Sequence, residues 1–266
     1  MSTHVNGIDV AHTLSGSDAA PAVMLSHSLG SSAMMWDPQL AALEERYRVI
    51  RYDVRGHGDT AAPDGAYTLN QLGDDAIGLM DSLGISQVHW VGLSMGGMIG
   101  QDLALRYPDR LLSLTLCDTM AAIPDEAQPM WQERIDIATA QGMEPLADGT
   151  MERWFTEDFR GSDPETVVAI RQQFMNTPAA GFIGCCHAIR RLAYLPDLNR
   201  IDLSTLIMVG ETDPATPVAA SQAMHAAIPQ SELVILPKAA HLSNMECVEE
   251  FNQRLLTFLA QNNGKP

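Results

Sequence analysis

Lysine is almost missing from this chain: Lys238 and Lys265 are the only two among 266 residues. Sixteen basic residues, the rest arginine, face 33 acidic ones, a formal charge of −17. Nucleic-acid binders need a basic stripe to neutralise phosphates, and anionic membrane surfaces attract the same kind of patch. This balance sets both aside as partners. Cysteine is scarce too. Cys117, Cys185, Cys186 and Cys247 form neither a C-x-x-C pair nor a zinc-ligand spacing, so no metal site is expected. Free, mostly buried thiols in a reducing compartment are the reading. Long apolar runs are missing as well. One long uncharged stretch, Gln172 to Ile189, is broken by Asn176, Pro178, Gly181 and Gly184, which excludes a membrane helix there. The first seven residues, Met1 to Gly7, carry neither a basic nor an apolar signal region. A cytoplasmic protein acting on a small molecule is the expectation, with its oligomeric state open.

What is present is alternation. Apolar runs at Ile8–Leu14, Val23–Ser26, Arg48–Asp53, Gln87–Gly92 and Leu112–Cys117 read as strands, as do Ser204–Gly210 and Leu233–Leu236. Between them, Thr68 to Leu83 places Leu69, Leu72, Ala76, Leu79, Met80 and Leu83 at helical spacing, stopped at Gly84. Helices are also expected over Met95–Tyr107, Ala219–Ala227 and Val248–Gln261. Strand–helix alternation implies right-handed crossovers and a largely parallel sheet covered on both faces. From about Ala122 to Leu195 the strand-like runs stop, and the segment is helical in period. It reads as a cap over the sheet's C-terminal edge, where open α/β sheets place their ligands.

Gly92-Leu-Ser94-Met-Gly96 follows a strand and opens a helix. A turn this sharp needs small neighbours, because side chains at Gly92 and Gly96 would collide across it. It holds a serine hydroxyl above the sheet, with the Met95 N–H at a helix N-terminus free for an oxyanion. A second donor is expected from His27-Ser28-Leu29-Gly30, a loop that also follows an apolar strand; by position it is the Leu29 N–H. Serine needs a base oriented by an acid. Of eight histidines, His89 within a strand and His225 within a helix read as structural. His241, in the loop after the last strand, is the candidate base. Asp213, in Gly210-Glu-Thr-Asp213-Pro, is the candidate acid, with Glu211 as its rival. Ser94, Asp213 and His241 stand in the chain order that a strand–serine–helix nucleophile takes.

These motifs, together with Arg51-Tyr-Asp-Val-Arg-Gly-His-Gly58 and Ala240-His-Leu-Ser-Asn244, resemble the α/β-hydrolase superfamily along nearly the whole chain. Within it the chain is similar to 3-oxoadipate enol-lactonases of the β-ketoadipate pathway. Met35-Trp-Asp-Pro38, Trp131, Arg134, Arg153-Trp-Phe-Thr156 and Gly184-Cys-Cys186 carry that likeness. The stretch Ile189-Arg-Arg-Leu-Ala-Tyr194 departs from it. The resemblance implies an α/β-hydrolase fold: a mostly parallel, doubly wound sheet from residues 1–121 and 196–266, with a helical cap, 122–195, inserted after the sixth strand. It implies hydrolysis of a small enol-lactone bearing a free carboxylate, with no metal or organic cofactor. A carboxylate substrate needs a local cation, and the cap holds Arg134, Arg153, Arg160, Arg171, Arg190 and Arg191. Arg134 is the choice, one helical turn after Trp131, so that both can face a pocket. Trp154 is expected on an apolar wall. A carboxylesterase or perhydrolase on neutral esters, a carbon–carbon bond hydrolase, and a non-catalytic binding protein remain alternatives.

Overall fold

The dipeptide Asn6-Gly7 takes φ of 47° and 79°, the pair of positive angles that lets two strands fold back on each other without splaying. In the computed structural model, which describes residues 1–263, it joins β1 (Ser2–Val5) to β2 (Ile8–Ser15), with Val5 opposite Ile8. The remaining strands are β3 (Ala22–Ser26), β4 (Arg48–Tyr52), β5 (Val88–Leu93), β6 (Leu111–Cys117), β7 (Thr205–Gly210) and β8 (Ser231–Leu236). They form one sheet in the order β1-β2-β4-β3-β5-β6-β7-β8. The pairs β1–β2 and β2–β4 are antiparallel and all others parallel. Strands β3, β5 and β7 are buried along their whole length, which is why they read as unbroken apolar runs rather than alternating ones.

Helices α1 (Asp37–Glu44), α2 (Leu69–Ser82) and α3 (Met95–Arg106) precede the cap. Thr68 caps α2 by accepting the Gln71 N–H at 3.1 Å. Five helices then stand between β6 and β7: α4 (Gln128–Gln141), α5 (Glu144–Trp154), α6 (Glu157–Ser162), α7 (Pro164–Asn176) and α8 (Ala179–Ile189). Tyr194 N and Leu195 N both donate to the Ala121 carbonyl, and Ala122 bridges Ala193, so this segment leaves and re-enters at one place. After it come α9 (Val218–Ala227), α10 (Ser243–Glu246) and α11 (Val248–Gln261). Among the described residues no helix is long and apolar enough to cross a membrane, and all four cysteines are free.

The order β4-β3-β5 contains the point where the chain reverses its direction of winding, the place where an α/β sheet opens a crevice at its C-terminal edge. Ser26 and Gly92 are register partners across β3 and β5. The loop after β3 and the turn after β5 therefore emerge side by side.

Helix α8 fastens the cap to the core by backbone contact. A Cβ on Gly181 would meet the Gly56 carbonyl oxygen at 1.9 Å, and one on Gly56 would meet Gly181 Cα at 2.3 Å. Nearby, Tyr67 N donates to the Gly184 carbonyl at 3.1 Å and the Thr177 hydroxyl to the Gly30 carbonyl at 3.2 Å. Alanine in a helix ordinarily gains about 1 kcal/mol over glycine. At Gly181 that gain loses to a collision in which both partners are backbone, and Gly181→Ala is expected to lower stability by about 1–3 kcal/mol. Gly161→Ala, where nothing lies within 4 Å, should not destabilise. The two denaturation midpoints check this.

Candidate active site

Strand β5 runs directly into Ser94, whose backbone sits at φ 54° and ψ −113°, a conformation that costs energy outside glycine. The surroundings hold it there. Ser94 N donates to the Cys117 carbonyl at 2.9 Å, and the Ser94 carbonyl accepts from Gly97 N at 2.9 Å and from the Thr119 hydroxyl at 2.7 Å. The glycines either side are compulsory. A Cβ on Gly92 would lie 2.1 Å from the Gly96 carbonyl oxygen, whereas one on Gly96 would strike the Ser26 carbonyl oxygen of β3 at 2.1 Å. Thus only the first collides across the bend, and the second keeps α3 close to the neighbouring strand.

His241 and Asp213 leave β8 and β7 at the same edge of the sheet. His241 Nδ1 lies 2.8 Å from Asp213 Oδ2, with both side chains buried. The other donors to Asp213 are Ala215 N at 2.7 Å and Thr216 N at 3.0 Å on Oδ1, and the Thr216 hydroxyl at 2.6 Å on Oδ2. Burial opposes ionisation of Asp213, but the His241 charge and these hydrogen bonds hold its carboxyl below the ordinary range. Its rival Glu211 is exposed, and its carboxylate accepts the Lys238 N–H at 3.2 Å. Ser94 and His241 line one cavity of about 240 Å³. Among the described residues no hydrogen bond yet links them; such bonds are often loose before substrate binds.

Ser28 and Leu29 line the cavity as well. Two buried histidines shape their loop. Gly30 N donates to His57 Nε2 at 2.8 Å, and Val54 N donates to His27 Nε2 at 2.9 Å. Accepting at Nε2 leaves each ring neutral, with its proton on Nδ1, facing the Arg55 carbonyl from His57 and the Ser28 carbonyl from His27. Burial pulls His27 down to about 4; burial, then the charge of His27, pulls His57 down to about 3. The Leu29 and Met95 N–H groups donate to no other protein group among the described residues. Of the two, Leu29 lines the cavity, and Met95 follows Ser94 directly at the start of α3. Below the loop, Arg55 and Asp75 form a buried ion pair at 2.7 Å, and Asp53 accepts from Ala33 N at 2.8 Å.

The cap supplies the opposite wall. Trp131, Arg134 and Trp154 all line the cavity, and the Arg134 guanidinium sits 4.9 Å from the centre of the Trp131 ring. Arg153 lines it too, a residue that spacing alone gave no reason to prefer. Arg134 has no hydrogen-bonding or ion-pair partner among the described residues, and Arg153 has only the Thr150 hydroxyl, at 3.1 Å. Burial first, and the neighbouring Arg153 charge second, bring Arg134 down to about 10. Trp131 Nε1 is buried without a partner. The other cap arginines lie off the cavity: Arg171 pairs with Asp148, Arg160 bonds the Phe155 carbonyl, Arg190 bonds Gln128 and Gln132, and Arg191 is exposed. One further carboxyl lies behind the site. Asp118, fully buried at the end of β6, accepts from Gly210 N at 2.8 Å and from the Ser243 hydroxyl at 2.5 Å, tying the acid loop to the histidine loop. Burial, then the charge of Asp213, pushes it well above the ordinary range.

Several known proteins are similar to this chain. A protein named 3-oxoadipate enol-lactonase 2 from Acinetobacter baylyi is 40% identical over 232 residues, 87% of this chain and 86% of its own length. A second from that organism, 3-oxoadipate enol-lactonase 1, is 34% identical over 95% of this chain and 94% of its own. The crystal structure of the enol-lactonase from Burkholderia xenovorans LB400 superimposes with a TM-score of 0.95 at 38% identity, covering 98% of this chain and all of that one. The sequence profile of the α/β hydrolase fold matches residues 21–247. With that match, and a serine turn, an acid loop and a histidine loop at one edge of the sheet, the chain belongs to the α/β-hydrolase family.

Proposed function

We propose that the protein hydrolyses a small enol-lactone carrying a free carboxylate, by way of an acyl-enzyme on Ser94. The likeness to enol-lactonases supports lactone hydrolysis, and one observation carries the carboxylate. Arg134 and Arg153 have no acidic partner among the described residues, yet they line the same cavity as Ser94 and His241. Two partly desolvated cations beside each other are unfavourable until an anion joins them.

Ser94 Oγ attacks the lactone carbonyl while His241 takes its proton, and Asp213 holds the imidazole in the tautomer that can accept it. The Leu29 and Met95 N–H groups receive the negative charge that forms on the carbonyl oxygen. Collapse breaks the ring C–O bond. The enolate leaves, gains the proton from His241 and tautomerises to a ketone, so it is a poor nucleophile for the reverse step. Water, deprotonated by His241, then releases the second carboxylate and restores Ser94.

Truncating one partner of a buried charge pair costs about 2–5 kcal/mol, so Arg134→Ala should lower kcat/KM for the anionic lactone by at least about tenfold. Its rate on a neutral short-chain ester should stay near the wild-type value. Lysine there should restore only part of the loss, being a point charge rather than a planar fork. Equal losses on both substrates would make Arg134 a support for the cap. A wild-type preference for the neutral ester would make the protein a carboxylesterase, and cleavage of a ring-fission diketone in the same panel would make it a carbon–carbon bond hydrolase.

A further inference from the structure

Two backbone N–H groups flank His241 in the chain, and both are bonded outside their own loop's turn. Ala240 N donates to Glu246 Oε2 at 2.5 Å, and Leu242 N donates to the Trp154 carbonyl at 3.0 Å. The other oxygen of the same carboxylate, Glu246 Oε1, accepts from Thr156 N at 2.8 Å and from the Thr156 hydroxyl at 2.7 Å. Glu246 lies at the end of α10, five residues past the histidine. Trp154 and Thr156 lie where α5 passes into α6, and Trp154 is part of the cavity wall. A single carboxylate therefore holds the cap with one oxygen and the histidine loop with the other. Burial pushes the Glu246 carboxyl above the ordinary range, and the hydrogen bonds from Ala240 and Thr156 oppose that. The Thr156 hydroxyl also accepts the Phe159 N–H at 3.1 Å, so the cap end of this contact is anchored in turn to α6.

We infer that Glu246 is a positioning residue for His241, setting the reach of the imidazole toward Ser94 by how the cap wall seats on the core. The inference rests on the reading of Ser94, His241 and Asp213 as the hydrolytic group. Its chemistry is geometric. The imidazole is fixed at Nδ1 by Asp213, but the backbone that carries it is fixed on one side by Glu246 and on the other by Trp154. Loss of one side lets the ring pivot about the Asp213 bond and move Nε2 off the serine hydroxyl. A misplacement of about 1 Å in such a group can cost about 10²-fold in rate. This differs from the expected role of Arg134, whose loss selects against one substrate; loss of Glu246 slows every ester.

The test compares Glu246→Ala, Glu246→Gln and Thr156→Val with the wild type. Active sites are counted by a fluorophosphonate that labels Ser94, and kcat and KM are measured on a neutral p-nitrophenyl ester and on the anionic lactone. Per labelled site, kcat of Glu246→Ala is expected to fall about tenfold to a hundredfold on both substrates, with KM for the neutral ester nearly unchanged. Glu246→Gln, which keeps one acceptor oxygen but turns an amide N–H₂ toward a donor, should fall between. Thr156→Val, which keeps its N–H, should fall least, and adding it to Glu246→Ala should cost nothing more. A role confined to stability lowers the number of labelled sites and the melting point but leaves kcat per site intact. If kcat per site in the Ala and Gln variants stays within about twofold of wild type, Glu246 does not position the histidine. If the wild type itself is not labelled at Ser94, the hydrolytic reading falls, and this inference with it.

Discussion

Ser94→Ala is expected to remove turnover almost completely, by about 10⁶ in kcat if it behaves as nucleophile removal does in comparable triads. The structure makes this variant a clean one. Alanine keeps the Cβ, so the strained backbone at φ 54° is asked of either residue. The bonds that fix the turn run to the Ser94 N–H and carbonyl, from Cys117, Gly97 and Thr119, and not to the hydroxyl. Stability should therefore stay close to that of the wild type while the chemistry disappears. A fluorophosphonate should label the native protein at Ser94, read by peptide mass, and should leave the variant unlabelled. Labelling of another serine, or a variant retaining more than about a tenth of the rate, would remove Ser94 from the mechanism.

The second large effect belongs to Asp213→Asn, for which the serine-protease precedent is about 10⁴ in kcat. The direction follows from the donors around the carboxylate. Ala215 N and Thr216 N both point at Oδ1. An asparagine would keep its carbonyl oxygen there, placing its N–H₂ where Oδ2 now meets His241 Nδ1 at 2.8 Å. The imidazole would then accept at Nδ1 and carry its proton on Nε2, facing the serine with a donor instead of a lone pair. Binding of substrate should survive and proton abstraction should not, so kcat falls far more than KM changes. Glu211→Gln is the control, since that carboxylate meets only the exposed Lys238 N–H among its described contacts. Reversed magnitudes in the two variants would make Glu211 the orienting acid.

Most of the sheet was legible because its strands are either unbroken apolar runs or bounded by glycine and proline. The amphipathic helix at Leu69–Ser82 was plain from periodicity. The β1–β2 hairpin was missed although its signal was present: Asn6-Gly7 is a strong short-range turn pair, but the strand before it is only four residues and mostly exposed. Helix α1 was missed for a similar reason, although Pro38 near its start is a usual helix-opening sign. In the site, Ser94, Asp213 and His241 could be chosen because each follows a strand at a loop. Arg153 and Glu246 could not. What distinguishes Arg153 from the cap arginines outside the cavity is its place on the wall beside Arg134, and that depends on how α4 and α5 pack. What distinguishes Glu246 is the contact with Thr156, 90 positions away in the chain. Neither is a property of local spacing.

The backbone contact between Gly56 and Gly181 bears on how molecules enter and leave. Helix α8 rests on the core with no side chain between, and the histidine loop grips the other side of the cap through Trp154 and Thr156. These contacts pin the roof along two edges. Traffic into the chamber then falls to side chains at its rim, and Met130, which lines the cavity and is 40% exposed, is placed for that. An unbranched thioether changes rotamer in picoseconds to nanoseconds, whereas a domain hinge takes microseconds to milliseconds. Movement of that one side chain leaves untouched the backbone contacts that seat the cap.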